Sequence, residues 1–327
     1  MIIVNLFKCK KYLNLLIKKM KTSEFKIRVS ENIEIHVYEW LPDTEPKAIL
    51  QIAHGMAEHA ARYANFAEFL TNNGYAVYAN DHRGHGKTAG NVEKLGFFAE
   101  KDGWSFVMHD MYKLTLEIKK RNPDKAVFLF GHSMGSFLSR YYITQYASDI
   151  KGVILSGTGG HPGILGNIGV FITKMLIAFY GKKAQSPLMS KLSFGEFNKV
   201  FKPNRTEYDW LSRDDAQVDK YVADPFCGTV FTTGFYKDML KGLLDVSTQK
   251  SIDEIPENLP IYLFSGNNDP VGENGKGVKE VYEKYKKAGI KNVSIKLYEN
   301  ARHETLNETN NDEVYNDILK WLNEHLD

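Results

Sequence analysis

Apolar strand-like runs alternate with helical segments along most of this 327-residue chain, and this alternation constrains the fold more than any other feature. The strand-like runs are FKIRV (25–29), IEIHVYEW (33–40), AILQIAH (48–54), AVYANDH (76–82), VFLFGHS (127–133), GVILSGT (152–158), IYLFSG (261–266) and SIKLYE (294–299). Helical spacing occurs at 60–73, 104–121, 134–147, 275–288 and 312–325. Strands separated by helices indicate a mostly parallel sheet covered on both faces, with the first two runs as an antiparallel hairpin at one edge. The sequence therefore predicts an α/β fold.

The alternation fails between about residues 160 and 250. An apolar, helix-like stretch at 163–180 is followed by aromatic-rich segments such as FGEFNKVF and FTTGFYKDML. We expect a helical insertion that caps the strand ends, although a second helical subdomain without a catalytic role is an alternative. The predicted division is an N-terminal extension (1–22), a first core part (23–159), a helical cap (160–250) and a second core part (251–327).

The N-terminal extension has apolar residues at helical spacing with lysines between them: Ile2, Leu6, Cys9, Leu13, Leu16 and Met20. It is too short and too charged for a membrane span, and it lacks the features of a secretory signal. The pattern predicts a basic amphipathic helix that lies on a membrane surface or packs on the domain. Alternatively, the natural start is Met20.

Composition narrows the class of protein and its compartment. Hydrophobic residues make up 43% and charged residues 25% of the chain, and the net charge of +2 is not that of a nucleic-acid binder. Cys9 and Cys227 have no metal-ligand spacing, and a disulfide framework is not expected. A cytoplasmic location is predicted, with peripheral membrane contact through the cap or the N-terminal helix as a further expectation.

The run Gly131-His132-Ser133-Met134-Gly135 matches Gly-x-Ser-x-Gly between a strand and a helix. In that context the serine lies on a sharp turn that exposes its hydroxyl at the end of the sheet. A Cβ at 131 or 135 would clash at such a turn, which explains the two glycines. Ser133 is the predicted nucleophile.

Two later residues, each directly after a strand, are candidate partners for Ser133. His303 follows the last strand and is the expected general base, and Asp269 follows the strand at 261–266 and is the expected orienting carboxylate. A surface histidine and a turn-forming aspartate are the alternatives. The order Ser133, Asp269, His303 is typical of a serine hydrolase with a strand–turn–helix nucleophile.

Two backbone amides are predicted to stabilise the oxyanion. They are the amide of Met134 and the amide of Met56, in the loop after the strand at 48–54. Candidate substrate-binding residues are Gly55, His132, Phe171 and Met175.

The segment Asp81 to Gly86 is dense in polar residues. A zinc site is one interpretation of its histidines, together with two histidines of the 54–59 loop: His54, His59, His82 and His85. We favour a structural loop in which Asp81 and Arg83 bridge neighbouring turns, and we expect neither a metal nor a cofactor.

Together these motifs resemble the monoacylglycerol lipase and lysophospholipase branch of the α/β-hydrolases, which includes serine aminopeptidase S33-type enzymes. The matching segments are HGMAEHAARY (54–63), NDHRGHGKT (80–88), GHSMGS (131–136), DWLSRDDAQVDKYVADPFCG (209–228), SGNNDPVG (265–272) and NARHE (300–304). The resemblance runs from about Met20 to the C-terminus and departs from the usual pattern at Thr88, where serine is common. It implies a long-chain carboxylic ester substrate, no cofactor, a lid over the acyl site, and the catalytic and oxyanion residues named above.

The sequence leaves several functions to compare. A lipid-ester hydrolase that forms an acyl-enzyme is the first, and a generalist short-chain carboxylesterase or a serine aminopeptidase is the alternative. An aminopeptidase needs an acidic cluster to hold the substrate amine, for which the candidates are Glu196, Glu207, Asp209, Asp214 and Asp215. The three candidate catalytic residues weigh against a non-catalytic binding module, and serine rather than aspartate at 133 disfavours a haloalkane dehalogenase.

Overall fold

Eight strands form a single sheet in the computed structural model, which describes residues 20–326. The strands are β1 (Lys21–Ser30), β2 (Ile33–Leu41), β3 (Ala48–Ala53), β4 (Tyr75–Asn80), β5 (Val127–His132), β6 (Gly152–Ser156), β7 (Ile261–Gly266) and β8 (Val293–Tyr298). Their order across the sheet is β1-β2-β4-β3-β5-β6-β7-β8. The β1–β2 and β2–β4 pairs are antiparallel and the other pairs are parallel. The predicted α/β fold with an antiparallel hairpin at one edge is confirmed.

The burial of each strand follows its place in the sheet. The inner strands β3, β4, β5 and β7 are buried at every position, as expected for strands covered on both faces. The edge strand β1 is exposed over Lys21 to Ser23, and from Glu24 onward it alternates between exposed and half-buried residues. The carboxyl ends of the parallel strands meet at one end of the sheet, where ligands bind in folds of this kind.

Helices cover both faces of the sheet and enclose two hydrophobic cores. The helices are α1 (Ala64–Asn72), α2 (Gly86–Ala89), α3 (Gly103–Arg121), α4 (Met134–Tyr146), α5 (Gly163–Tyr180), α6 (Pro187–Phe194), α7 (Asp215–Ala223), α8 (Thr233–Val246), α9 (Gln249–Asp253), α10 (Lys276–Lys287) and α11 (Asn311–Glu324). One core includes Met111 of α3 and Leu138 of α4, and the other includes Phe66 of α1 and Ile318 of α11. The predicted core helices lie within a few residues of those observed.

The helices from α5 to α9 lie between β6 and β7, which confirms a helical insertion in the sheet. Within it, α5 packs mainly against α8. Helix α5 has 18 residues and a mean hydropathy of 1.6, so its length and composition alone would allow it to cross a membrane. Within the described structure, 17% of this helix is buried. The boundaries 160 and 250 remain predictions.

The predicted amphipathic helix falls mostly on residues 1–19, which lie outside the described part of the chain. The last two residues of the predicted extension, Lys21 and Thr22, pair with Leu41 and Trp40 as the start of β1. Strand β1 therefore begins two residues before the predicted division at residue 23, which stays a prediction.

Candidate active site

Ser133 lies between β5 and α4 in a backbone conformation that few residues other than glycine adopt, with φ 51° and ψ −120°. Its amide donates to the carbonyl oxygen of Ser156 on the neighbouring strand β6, at 2.9 Å. A Cβ at Gly131 would overlap the Gly135 carbonyl, and a Cβ at Gly135 would overlap the Ala53 carbonyl. The predicted need for glycine at both positions is confirmed.

His303 and Asp269 face each other from the loops after β8 and β7. The His303 Nδ1 atom lies 2.9 Å from both carboxylate oxygens of Asp269. Asp269 also accepts hydrogen bonds from the Ser265 hydroxyl at 2.7 Å and from the Val271 amide at 2.9 Å. Since Asp269 is fully buried and His303 is 2% exposed, this contact is shielded from bulk water.

The electrostatics of this pair favour the charged carboxylate. Burial raises the pKa of Asp269, but the adjacent His303 and the hydrogen bonds to the carboxylate outweigh burial and leave the pKa below its ordinary value. Burial lowers the pKa of His303, but Asp269 outweighs it and leaves that pKa above the ordinary 6.5. The arrangement therefore stabilises a protonated imidazole next to an ionised carboxylate.

Aromatic rings flank the His303 imidazole. The ring centroid of His132 lies 4.7 Å away and that of Trp210 lies 5.2 Å away. Burial, followed by the nearby His303, lowers the pKa of His132 to about 4, so His132 is neutral near pH 7. These rings restrict the rotation of His303 without adding a second positive charge.

The loop after β3 (residues 54–59) packs directly against the nucleophile turn. A Cβ built on Gly55 would lie 3.2 Å from the Ser133 Cβ and 3.4 Å from the His132 ring. Ala57 has a positive φ of 59°, and its carbonyl accepts from the Gly228 amide at 3.0 Å and the Tyr221 hydroxyl at 2.8 Å. The insertion therefore holds the backbone directly after Met56.

The two candidate oxyanion donors lie on either side of this contact. Met56 belongs to the loop after β3, and Met134 is the first residue of α4, whose N-terminus carries a partial positive charge. Within residues 20–326, neither amide donates to a backbone carbonyl. Both N–H groups therefore remain available to an external acceptor.

A buried charge network next to the site was missed by the sequence reasoning. Arg62 forms a bidentate contact with Glu304 at 2.6 and 2.7 Å and a further bond to Glu58 at 2.7 Å. Glu58 in turn accepts from the Gly55 amide at 2.6 Å. The network joins the loop after β3 to the residue after His303. Its sequence signals were the Glu58/Arg62 spacing of four and the position of Glu304.

Ser133 and His303 line a common cavity of about 510 Å³. Gly55, Met56 and His132 also line it, as do residues of the insertion: Pro187, Ser190, Lys191, Phe194, Gly195, Asn198, Asn204, Thr206, Glu207, Tyr208, Trp210, Leu211, Tyr221, Gly228, Thr229 and Val230. Lys191 and Phe194 lie on α6, and the other lining side chains of the insertion lie outside α5. The part of the insertion from Pro187 to Val230, not its first helix, therefore covers Ser133.

Phe171 and Met175, which were expected to bind substrate, lie away from the cavity that Ser133 lines. Neither residue lines the cavity, and their side chains are 64% and 45% exposed on α5. The buried side of α5 is narrow, with only Gly166 and Thr173 buried among its described residues. Apolar composition therefore did not reveal which way these side chains face.

The acidic residues considered for amine binding do not assemble at Ser133. Glu207 lines the cavity, whereas Asp209 accepts from the Thr206 amide and Asp214 caps α7. Asp215 lies 3.3 Å from Arg205, and Glu196 pairs with Lys199 at 2.6 Å. All of these acidic residues except Glu207 therefore contact other groups of the protein.

The histidines considered as zinc ligands also have other roles. His54, His82 and His85 are buried together, with the His54 ring centroid 4.2 Å from that of His82 and 5.1 Å from that of His85. Both His54 ring nitrogens are engaged, Nδ1 with the Gly55 carbonyl and Nε2 with the His82 amide. His59 lies apart and bonds to Asp224. The four histidines considered as alternative zinc ligands therefore do not come together as one set.

The structural role predicted for Asp81 and Arg83 is confirmed. Asp81 accepts from the Ala60 amide at 2.8 Å and from the Lys87 amide at 2.7 Å. Arg83 binds both oxygens of Asp110 at 2.5 and 2.9 Å. These contacts join the loop after β4 to Ala60, directly after the loop at 54–59, and to helices α2 and α3.

Most of the chain is similar in sequence or structure to known lipases and esterases. A family model described as "Serine aminopeptidase, S33" matches residues 44–310. A monoacylglycerol lipase of Mycolicibacterium smegmatis is 28% identical over 290 residues, covering 88% of this chain and 92% of that protein. A monoglyceride lipase of Rattus norvegicus is 27% identical over 285 residues, covering 87% of this chain and 84% of that protein. The solved structure of a thermostable carboxyl esterase from Bacillus coagulans, in complex with glycerol, has a TM-score of 0.87 and 27% identity, covering 94% of this chain and 100% of that one.

Proposed function

Because the chain belongs to the serine aminopeptidase S33 family and has the α/β-hydrolase fold, we propose that it hydrolyses a lipid-like ester through Ser133, His303 and Asp269. Its relatives and structural neighbours include esterases and monoacylglycerol lipases, which makes it a carboxylic ester hydrolase. The observation that carries the proposed triad is the buried contact between Asp269 and His303, and His303 also lines the Ser133 cavity.

In the first step His303 Nε2 takes the Ser133 hydroxyl proton as Oγ attacks the ester carbonyl carbon. Asp269 stays ionised, keeps the other ring nitrogen protonated and stabilises the imidazolium. The carbonyl oxygen becomes an oxyanion, which the amides of Met56 and Met134 stabilise by hydrogen bonds. These donors are part of the backbone, so their side chains are not needed for this role.

The tetrahedral intermediate then collapses, and the leaving alcohol takes the proton from His303. An acyl group remains bonded to Ser133 Oγ. Water attacks this acyl-enzyme with His303 as the base, and the fatty acid leaves as the serine hydroxyl is restored. Each proton removed by His303 is returned within the cycle.

The cavity supports a substrate with an acyl chain and a small polar head group. Its volume of about 510 Å³ lies in the usual range for small-molecule sites. Phe194, Trp210, Leu211 and Val230 offer apolar surface, and Asn198 is among the polar lining residues. We propose that residues 160–250 act as the cap, with α6 and the segment after it forming the acyl site. Monoacylglycerol or a lysophospholipid is the proposed substrate.

The aminopeptidase alternative lacks a matching acidic site. Among the five residues considered for amine binding, only Glu207 lines the cavity. Glu58 and Glu304 also line it, but both pair with Arg62. A substrate ammonium would have to compete with that buried guanidinium.

A substrate panel tests the proposed function. Purified wild type and Ser133→Ala are compared on monoacylglycerols of increasing chain length, lysophosphatidylcholine, short p-nitrophenyl esters and aminoacyl-nitroanilides. We expect kcat/KM to be highest for a long-chain ester and Ser133→Ala to lose at least about 10³-fold. Ser105→Ala, on α3, is the control and should keep full activity. Activity that survives in Ser133→Ala, or faster cleavage of the anilides, would contradict the proposal.

The outer surface of α5 supports peripheral contact with a lipid surface. Ile164, Ile168, Phe171, Met175 and Phe179 recur at helical spacing, and each is at least 45% exposed. Such a contiguous apolar stripe on a helix favours the boundary between lipid head groups and acyl chains. We propose that α5 holds the enzyme at the aggregate or membrane that contains its substrate.

A further inference from the structure

Three side chains of the types that bind metals lie close together near the proposed triad, and none of them belongs to it. A ring nitrogen of His59, a carboxylate oxygen of Asp224 and the Sγ atom of Cys227 all lie within 4.8 Å of one another. His59 belongs to the loop after β3, whereas Asp224 and Cys227 belong to the segment that follows α7. All three residues are half-buried.

The backbone presents Asp224 and Cys227 from one turn. The Cys227 amide donates to the Asp224 carbonyl at 3.0 Å, and the Phe226 amide donates to Asp224 Oδ1 at 2.9 Å. The other carboxylate oxygen, Oδ2, is left to contact His59 Nε2 at 2.8 Å. Two ligands separated by two residues in a turn repeat the spacing found in zinc sites.

The charges around this cluster suit a cation. The Asp224 carboxylate contacts the His59 ring and accepts from the Phe226 amide. The nearby guanidinium of Arg62 is paired with two carboxylates, Glu58 and Glu304. One positive charge therefore faces three negative charges before any metal binds. A divalent cation would offset this excess of negative charge, to which the Cys227 thiolate adds one more when the metal binds.

We propose that His59, Asp224 and Cys227 bind a thiophilic divalent cation such as Zn²⁺, with water in the fourth position. Imidazole, carboxylate and thiolate are all ligands of zinc. On binding, the thiol proton passes to solvent, and His59 carries its proton on Nδ1 so that Nε2 is free to coordinate. A tetrahedral zinc ion about 2.0 Å from the nitrogen and the oxygen, and about 2.3 Å from the sulfur, sets the nitrogen and oxygen roughly 3.3 Å apart. That spacing needs only a small rotation from the present contact.

A metal in this position would join the loop after β3 to the cap. The same two segments are already connected through the Ala57 carbonyl, which accepts from Gly228 and Tyr221. The metal would therefore restrain the backbone that carries the Met56 amide. Its role is that of a structural brace, so it should raise the melting temperature.

Titration of the purified full-length protein with Co²⁺ tests the site, since a thiolate bound to Co²⁺ gives a near-ultraviolet charge-transfer absorption. We expect one equivalent of Co²⁺ to produce this band, excess Zn²⁺ to remove it, and either metal to raise the melting temperature. Cys227→Ser should abolish the band, and His59→Asn and Asp224→Asn should weaken binding at least about tenfold. Asp224→Asn keeps an oxygen for the Phe226 amide, so the turn should persist.

Cys9→Ser is the matched control and should bind Co²⁺ like the wild type. The proposal is overturned if the wild type shows no thiolate band, or if the band persists in Cys227→Ser. It is also overturned if the His59 and Asp224 variants bind as tightly as the wild type, because a lone thiol would then account for the signal. Circular dichroism of each variant confirms that the comparison is made between folded proteins.

Discussion

Asp269 is fully buried, yet its surroundings keep it charged. The Ser265 hydroxyl and the Val271 amide satisfy its oxygens, and His303 contacts both. The burial of an unpaired carboxylate would instead favour its neutral form. In the proposed mechanism the residue acts only through His303, by fixing its tautomer and raising its pKa.

Asp269→Asn tests this role. We expect kcat to fall by about 10⁴-fold, because the amide favours the wrong imidazole tautomer. Only neutral His303 can accept the serine proton, so wild-type kcat/KM should rise with pH through a pKa above 6.5. In Asp269→Asn, which lacks the carboxylate, the rise of the remaining kcat/KM with pH should occur at lower pH. Asp253→Asn, on the exposed side of α9, is the control. If the pH dependence of kcat/KM in Asp269→Asn were the same as in the wild type, the proposed role of Asp269 would be contradicted.

At the level of elements, loops from distant parts of the chain are joined by buried charges. Arg62 follows the loop after β3, and Glu304 follows β8, 242 residues later in the chain. Burial raises the pKa of Glu304, but Arg62 outweighs burial and lowers it to about 2. The pair therefore stabilises the folded protein while Glu304 is ionised.

Glu304→Gln should lower the free energy of unfolding by about 3 kcal/mol, the lower end for a broken buried pair, since Arg62 keeps Glu58. Glu34→Gln breaks the exposed Arg28–Glu34 pair and should cost less than about 1 kcal/mol. Because the folded pKa of Glu304 is depressed, its contribution is present above pH 4.5 and is lost as pH falls toward 2. Urea titrations at several pH values measure this; equal losses in the two variants would contradict the argument.

Over the whole molecule, the insertion has two separate surfaces. The part from Pro187 to Val230 lines the Ser133 cavity, and the first helix, α5, exposes an apolar stripe. The proposed chemistry and the proposed lipid contact therefore depend on different residues. This separation allows lipid binding to be changed without changing the cavity.

Phe171→Glu combined with Phe179→Glu should reduce binding to phospholipid vesicles by at least about tenfold, because two charges would enter the apolar stripe. Turnover of a soluble short-chain ester should stay the same. Leu116→Glu, on α3, replaces an apolar side chain that is 43% exposed outside the insertion and serves as the control. Vesicle co-sedimentation measures binding; unchanged binding in the double variant would mean that α5 is not the lipid contact.

Local patterns in the sequence were sufficient for the order of strands and helices and for the motif around Ser133. Both depend on short-range physics: the periodicity of apolar residues and the absence of Cβ atoms at residues 131 and 135. The positions of Asp269 and His303 after strands followed from the same reasoning, because parallel strands end at one edge. The direction in which the Phe171 and Met175 side chains point could not be predicted from local patterns, since it depends on how α5 packs against α8.

The amino-acid sequence determines that this chain forms an α/β sheet with a Gly-x-Ser-x-Gly turn, since both result from residues close together in the chain. Contacts between distant residues determine the rest. The bidentate Arg62–Glu304 pair, the Trp210 ring over His303 and the junction of His59 with Asp224 and Cys227 join segments separated by up to 242 residues. The periodicity of the sequence does not predict such contacts, because they form only when segments distant in the chain pack together.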